Sequence, residues 1–329
     1  MPLALVLSGA VLAASLFTFL ARHYALRRNL LDHPDDRRSH VIATPRGGGV
    51  AIVLVLLMAS AAAACIWPAQ ALYAGGFSVG LAMVAGIGWW DDHRPLPAML
   101  RLAVHASASA LLALMLWRAG AGPFHAVLVA VFTASLINIW NFMDGINGLA
   151  VTQAILVATA LALALPVGLA WIGWILAAAC LGFLPFNFPK ARIFLGDVGS
   201  GALGYALAAL LALTTLTTEL NWLVLVMPMT AFLVDASFTL MSRMLSGKRW
   251  MEAHREHLYQ RLVQVGSSHA VITSAYAVFS VASVTIAGFL VAYRPPVAFA
   301  TLAAAAWIAV ATVLWWVMRR NLESKGSTP

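Results

Sequence analysis

From Gly47 to Trp90 the chain runs 44 residues without an Asp, Glu, Lys or Arg, and from Gly145 to Pro189 it does so again over 45. A helix crosses the hydrocarbon core of a bilayer with about 20 apolar residues. Each run is long enough for two crossings, and each is broken near its middle, at Trp67-Pro68 and at Pro166-Val167-Gly168. Only 10% of the 329 residues are charged, against about 25% in soluble domains. The chain is therefore an all-α polytopic membrane protein.

Met1–Ala21, Pro97–Trp117, Pro123–Trp140, Gly199–Thr218, Asn221–Met241, His269–Ala292 and Pro296–Met318 supply seven further apolar stretches, for about eleven transmembrane helices. The first lacks a basic leader, so it is read as a span and not as a cleaved signal. With the N-terminus outside, 18 of the 20 basic residues fall on inner segments, and only Arg118 and Arg294 lie outside. Basic residues favour the cytoplasmic side, so the N-terminus is out and the C-terminus in. Residues 1–329 form one transmembrane domain, ending in a short cytoplasmic tail from Arg319 to Pro329. Cys65 and Cys180 both sit inside apolar runs, which rules out a disulfide or cysteine–zinc framework. Although the net charge is +8, the basic residues lie scattered between spans, with no patch suited to nucleic acid.

Nearly all acidic residues share the inner side, with Glu219 the outer exception and Asp235 inside the ninth span. The polar motifs gather there too. Loop one reads Arg37-Arg38-Ser39-His40, then Thr44-Pro45-Arg46-Gly47-Gly48-Gly49; glycines at a helix head let a ligand approach the backbone, and free amides there suit an anion. Asp91-Asp92 and Arg101 flank the turn between spans three and four, and neighbouring carboxylates need a cation or basic partner. Asn138, Asn141, Asp144 and Asn147 recur every three residues at the end of span five, a spacing that puts the helical members on one face. Asp197 stands among glycines at the head of span eight, where a helix N-terminus suits a magnesium–diphosphate complex. Three residues earlier, Phe194 is suited either to packing or to stacking on a base. His254-Arg255-Glu256-His257 lies in the last large inner loop. Zinc is set aside, because no third ligand stands nearby and the arginines repel cations; donors to a diphosphate fit better. Asp235 is a functional or paired buried acid whose partner the sequence does not identify, Arg243 two turns further on being one candidate, and His105 is expected to make an interhelical hydrogen bond.

Taken in order, the Arg37–Gly49 loop, Asp91-Asp92, Asn141-Phe142-Met143-Asp144-Gly145-Ile146-Asn147-Gly148-Leu149, Gly196-Asp197-Val198-Gly199-Ser200 and the histidine loop resemble the polyprenyl-phosphate N-acetylhexosamine-1-phosphate transferase family (glycosyltransferase family 4). The resemblance spans Asp32 to about Arg261 and is nearest to the undecaprenyl-phosphate GlcNAc-1-phosphate transferase and O-antigen-initiating branch. It implies a bacterial inner-membrane enzyme that moves a sugar 1-phosphate from a UDP-N-acetylhexosamine to undecaprenyl phosphate and releases UMP. Magnesium is the implied cofactor, with manganese as a substitute, and a homodimer is left open.

The same resemblance implies residue roles. Asp197 ligates magnesium with Asn141 or Asp144. Asp91 and Asp92 lie on the lipid-phosphate side, where Arg101 holds phosphate, and Arg46 and Asn138 join the substrate-binding set. Asn187, Phe194 and Asn147 line the uridine pocket. His254, Arg255 and His257 contact the diphosphate. Asn147 replaces an aspartate found in many members, and the histidine loop argues against a muramoyl-pentapeptide substrate. The competing class, a transporter of an anionic solute, would need polar residues at mid-membrane and on both faces; here they gather on one face.

Overall fold

The computed structural model describes residues 3–32, 43–248 and 254–326. The expectations that rest on Asp35, Asp36, Arg37, Arg38, Ser39, His40, Arg249 and Glu252 lie outside those residues. All eleven expected spans are helical: α1 (Leu3–Arg27), α2 (Val50–Ile66), α3 (Ala71–His93), α4 (Ala98–Arg118), α5 (Pro123–Phe142), α6 (Leu149–Ala164), α7 (Val167–Asn187), α8 (Asp197–Thr217), the pair α9 (Trp222–Val226) and α10 (Thr230–Leu245), α12 (His269–Tyr293) and α13 (Val297–Gly326). Among the described residues nine helical segments are long and apolar enough to cross a membrane, while α2 and α6 are shorter, at 17 and 16 residues. The strands are a two-residue antiparallel ladder, Leu31–Asp32 against Thr44–Pro45.

Three features depart from expectation. Span nine is interrupted by a 3-10 turn at Met227–Met229, where Pro228 has no amide to continue the α-helical ladder. A seven-residue helix, α11 (Leu258–Gln264), follows the histidines. The expected tail after Arg319 instead continues α13 to Gly326. Its last turns are held by Glu323, which accepts from Arg319 four residues back at 3.1 Å and from Arg261 of α11 at 3.0 Å.

α8 forms the axis of the bundle, buried along almost its whole length between α3 and α5. Without water between helices, close packing holds membrane bundles together, and small residues permit it. Gly49, just before α2, and Gly199, on the first turn of α8, meet backbone to backbone; a Cβ on Gly49 would overlap the Gly199 Cα. The helix ends sort into two groups, as alternating spans require. At one end Arg22 reaches the Arg192 carbonyl, Tyr24 meets His93, and Asn187 meets Gly148. At the other, Trp67 stacks on Trp171, His125 meets Thr215, and Asn221 meets Thr301. The polar motifs are at the first end, which carries the basic residues.

Candidate active site at the basic end of the bundle

The site is built around the first turn of α8. The Asp92 side chain, at the end of α3, accepts from the Asp197 and Val198 amides, both at 3.1 Å. A helix N-terminus attracts an anion, and here the anion is this chain's own carboxylate, only 2% exposed. The expected anion site at these amides is therefore already filled. The glycine run also differs from expectation. Gly48 and Gly49 donate to the Phe194 and Leu195 carbonyls at 2.9 and 2.8 Å, so their amides fasten the segment before α8 instead of facing a ligand.

Asp91 and Asp197 are joined by one guanidinium: Arg101 Nη1, on the first turn of α4, donates to both carboxylates, at 2.8 and 3.0 Å. Asp91 also caps the turn, accepting from the Leu96 amide at 2.6 Å. Asn141, on the last turn of α5, donates to Asp197 at 3.0 Å and to the Ser200 hydroxyl at 3.0 Å. Ser200 was legible in principle, since it lies three residues after Asp197 on the same helical face. The separation expected between an Asp91–Asp92 lipid side and an Asp197 metal side is absent: all three carboxylates belong to one cluster.

Asp144 completes that cluster from the turn after α5. Its carboxyl is held well above the usual carboxylate range, by burial first and then by the neighbouring Asp197 and Asp92 charges. Arg46 faces Asp92 and lies 4.0 Å from Asp32; its buried Nε has no hydrogen-bond partner. The carboxyl groups gathered here outnumber the guanidiniums of Arg101 and Arg46, an excess of acidic groups that a divalent cation can neutralise. Among the described residues no three His, Cys, Asp or Glu side chains converge as a complete metal cage. Magnesium suits such a site, because it typically takes one or two carboxylates and completes its shell with water and substrate phosphates. Asp197, with its side chain a third exposed, is the carboxylate open to it.

The histidine loop packs beside this cluster. The His254 and His257 rings meet at a tilt of 34°, with centroids 4.9 Å apart. His254 is half-buried and its pKa is lowered to about 4, by burial first and then by His257 and Arg243. His257 is only 3% exposed and sits against Phe142 and Tyr259, behind the surface that His254 and Arg255 offer. Arg243 pairs with Glu256, not with Asp235. Asp235 accepts instead from the Leu258 amide, the Tyr276 hydroxyl and the Trp315 indole, at 2.8, 2.8 and 3.1 Å.

The residues expected to line a uridine pocket are mostly engaged with the chain itself. Asn187, 3% exposed, accepts from the Gly148 amide at 2.8 Å and donates to the Ile193 carbonyl at 3.0 Å. It thus ties the turn after α5 to the loop before α8. Asn147 donates to the Pro189 carbonyl at 3.1 Å. Phe194 is half-buried, with its backbone paired to Pro45 and Gly48. Asn138 donates to Ala134 of its own helix and lies beside His105 of α4, whose buried Nδ1 has no hydrogen-bond partner.

The fold and the site together define the class as a polytopic helical membrane protein with a carboxylate–guanidinium cluster at one end of the bundle. A profile of the family described as Glycosyl transferase family 4 matches residues 74–215. The decaprenyl-phosphate N-acetylglucosaminephosphotransferase of Mycobacterium tuberculosis is 31% identical over 310 residues, covering 78% of this chain and 76% of that protein. A probable undecaprenyl-phosphate N-acetylglucosaminyl 1-phosphate transferase of Bacillus subtilis is 25% identical, covering 79% and 77%. The phospho-N-acetylmuramoyl-pentapeptide-transferase of Moorella thermoacetica is 41% identical, over only 30% of this chain and 32% of its own. The chain belongs to glycosyl transferase family 4, among the polyprenyl-phosphate N-acetylhexosamine-1-phosphate transferases.

Proposed function

We propose that the chain transfers an N-acetylhexosamine 1-phosphate from a UDP-sugar to undecaprenyl phosphate at the inner face of the bacterial cytoplasmic membrane. UMP leaves, and the lipid-linked diphospho-sugar starts O-antigen or another envelope polysaccharide. The observation that carries this reading is the cluster of Asp91, Asp92, Asp144 and Asp197 at the bundle end, in which Arg101 bridges Asp91 and Asp197. The names of the relatives support a polyprenyl-phosphate acceptor and make N-acetylglucosamine the first sugar to test.

Phosphoryl transfer is governed by positioning and charge neutralisation more than by a strong base. The acceptor is a phosphate monoester with its second pKa near 6, so at pH 7 it is mostly dianionic and attacks the sugar-side phosphorus directly. Arg101 orients that acceptor, with Asp91 holding the guanidinium in place. Asp92 works from behind, fixing the α8 terminus and so the Asp197 carboxylate. Asp197 and Asp144 would hold magnesium, with Asn141 bracing Asp197; when bound, the ion neutralises charge developing on the transferred phosphoryl group. His254 and Arg255 face the donor diphosphate.

The test is UMP release by the purified protein from UDP-N-acetylhexosamines. Release should require both undecaprenyl phosphate and magnesium, stop with a chelator, and return on adding magnesium. No release with any such donor would sink the proposal.

A further inference from the structure

Asp235 and Tyr259 take no direct part in the chemistry above, yet they tie its two halves together. Asp235, 1% exposed in α10, gathers donors from four elements. These are the Leu258 and Tyr259 amides of α11 at 2.8 and 3.4 Å, the Tyr276 hydroxyl of α12, the Trp315 indole of α13 and the Thr239 hydroxyl of its own helix. An unpaired buried carboxylate is costly, whereas one with this many donors is a rigid anchor. What it anchors is the start of α11, immediately after His254-Arg255-Glu256-His257.

The tether continues. Tyr259, fully buried, donates from its hydroxyl to the Phe142 carbonyl at 2.8 Å. It also fills the space over Gly145, where a Cβ would overlap the tyrosine oxygen. Phe142 and Gly145 bracket Asp144. One side chain therefore contacts both sides of the carboxylate turn while its own backbone is held by Asp235.

We propose that Asp235 and Tyr259 are positioning residues that hold the His254–His257 segment in register with the Asp144 turn, so that the donor-facing loop and the carboxylate cluster move as one body. The function of this link rests on the transferase reading, but its structural half does not. Tyr259→Phe keeps the ring beside Gly145 while removing the hydroxyl and its bond to Phe142. Asp235→Asn removes the anchoring charge.

The experiment is hydrogen exchange on the whole purified protein without substrates, read beside transfer kinetics and thermal melting. Tyr259→Phe should accelerate exchange in both 142–148 and 254–264 while leaving α3 and α8 unchanged. Its kcat should fall roughly fivefold to tenfold, the scale of one hydrogen bond, with the KM for undecaprenyl phosphate within about twofold and the melting temperature nearly constant. Asp235→Asn should loosen the same two segments more strongly, and Asp235→Glu should restore part of the protection. Loosening of 254–264 alone, or of the whole protein, would overturn the proposal, as would an unchanged kcat in an active enzyme. Should Asp235→Asn fail to fold, Tyr259→Phe decides. Should wild-type protein transfer no sugar phosphate, the exchange results still judge the mechanical link while the transferase reading falls.

Discussion

At the scale of single residues, three neighbouring aspartates hold different posts, and their variants should separate. Asp197 is the exposed carboxylate, steadied by Arg101 and Asn141. Asp197→Asn keeps shape and most hydrogen bonding but loses charge, so turnover should fall by at least about a hundredfold, the scale of one key electrostatic contact, with the melting temperature little changed. Near-normal activity at saturating magnesium would disprove its role. Asp92 is consumed by two α8 amides. In Asp92→Asn at least one of these must face an amide NH2, and a buried unsatisfied donor costs about 1–3 kcal/mol. Thermal melting should fall, and calorimetry should show weakened nucleotide-sugar binding as Asp197 shifts. Asp91→Asn releases Arg101 instead; it should lower turnover while nucleotide-sugar affinity stays within about threefold. Equal binding losses in both variants would mean that the two aspartates do one job.

At the scale of elements, α8 positions the site through its contacts with α2 and α3. The segment Phe194–Leu195 is pinned between Gly48-Gly49 and the α8 terminus, so the register of α2 against α8 sets where Asp197 points. Gly49→Ala would drive a methyl into the Gly199 backbone. Overpacking of this kind costs about 1–3 kcal/mol. Melting in detergent should drop, and activity should fall further than the loss of folded protein explains. A fully active, normally stable Gly49→Ala protein would show that the helices can slide without consequence.

At the scale of the whole molecule, the charge pattern predicts eleven crossings with the two termini on opposite sides and 18 of 20 basic residues on inner segments. Reporter fusions at Met1 and after Pro329 should report periplasm and cytoplasm respectively. A same-side result would require an even number of crossings and a new map. The helix that continues α13 to Gly326 braces α11 through Glu323 and Arg261, so truncation before Arg319 should loosen α11 and slow transfer without ejecting α13 from the membrane. Unchanged protease protection of α11 after truncation would refute the brace.

The apolar runs by themselves determined the helical class and the end of the bundle where the polar motifs gather, because lipid admits few alternatives to a helix and tolerates charge at few places. The motifs likewise singled out Asp197, Asn141, Asp144 and Arg101, whose polarity at a helix end was too costly to be incidental. Only the tertiary structure decided what each group faces. Asp91 and Asp92 look equivalent in sequence, yet one meets a guanidinium and the other two amides contributed by a helix over a hundred residues away. Gly47-Gly48-Gly49 reads as a ligand cradle and proves to be a backbone contact. Asp235 had no partner legible in the sequence beyond Arg243, two turns along its own helix, and took its partners from α11, α12 and α13. Local spacing encodes which side chains share a face; which groups lie opposite that face is settled when distant helices pack, and no local pattern records it.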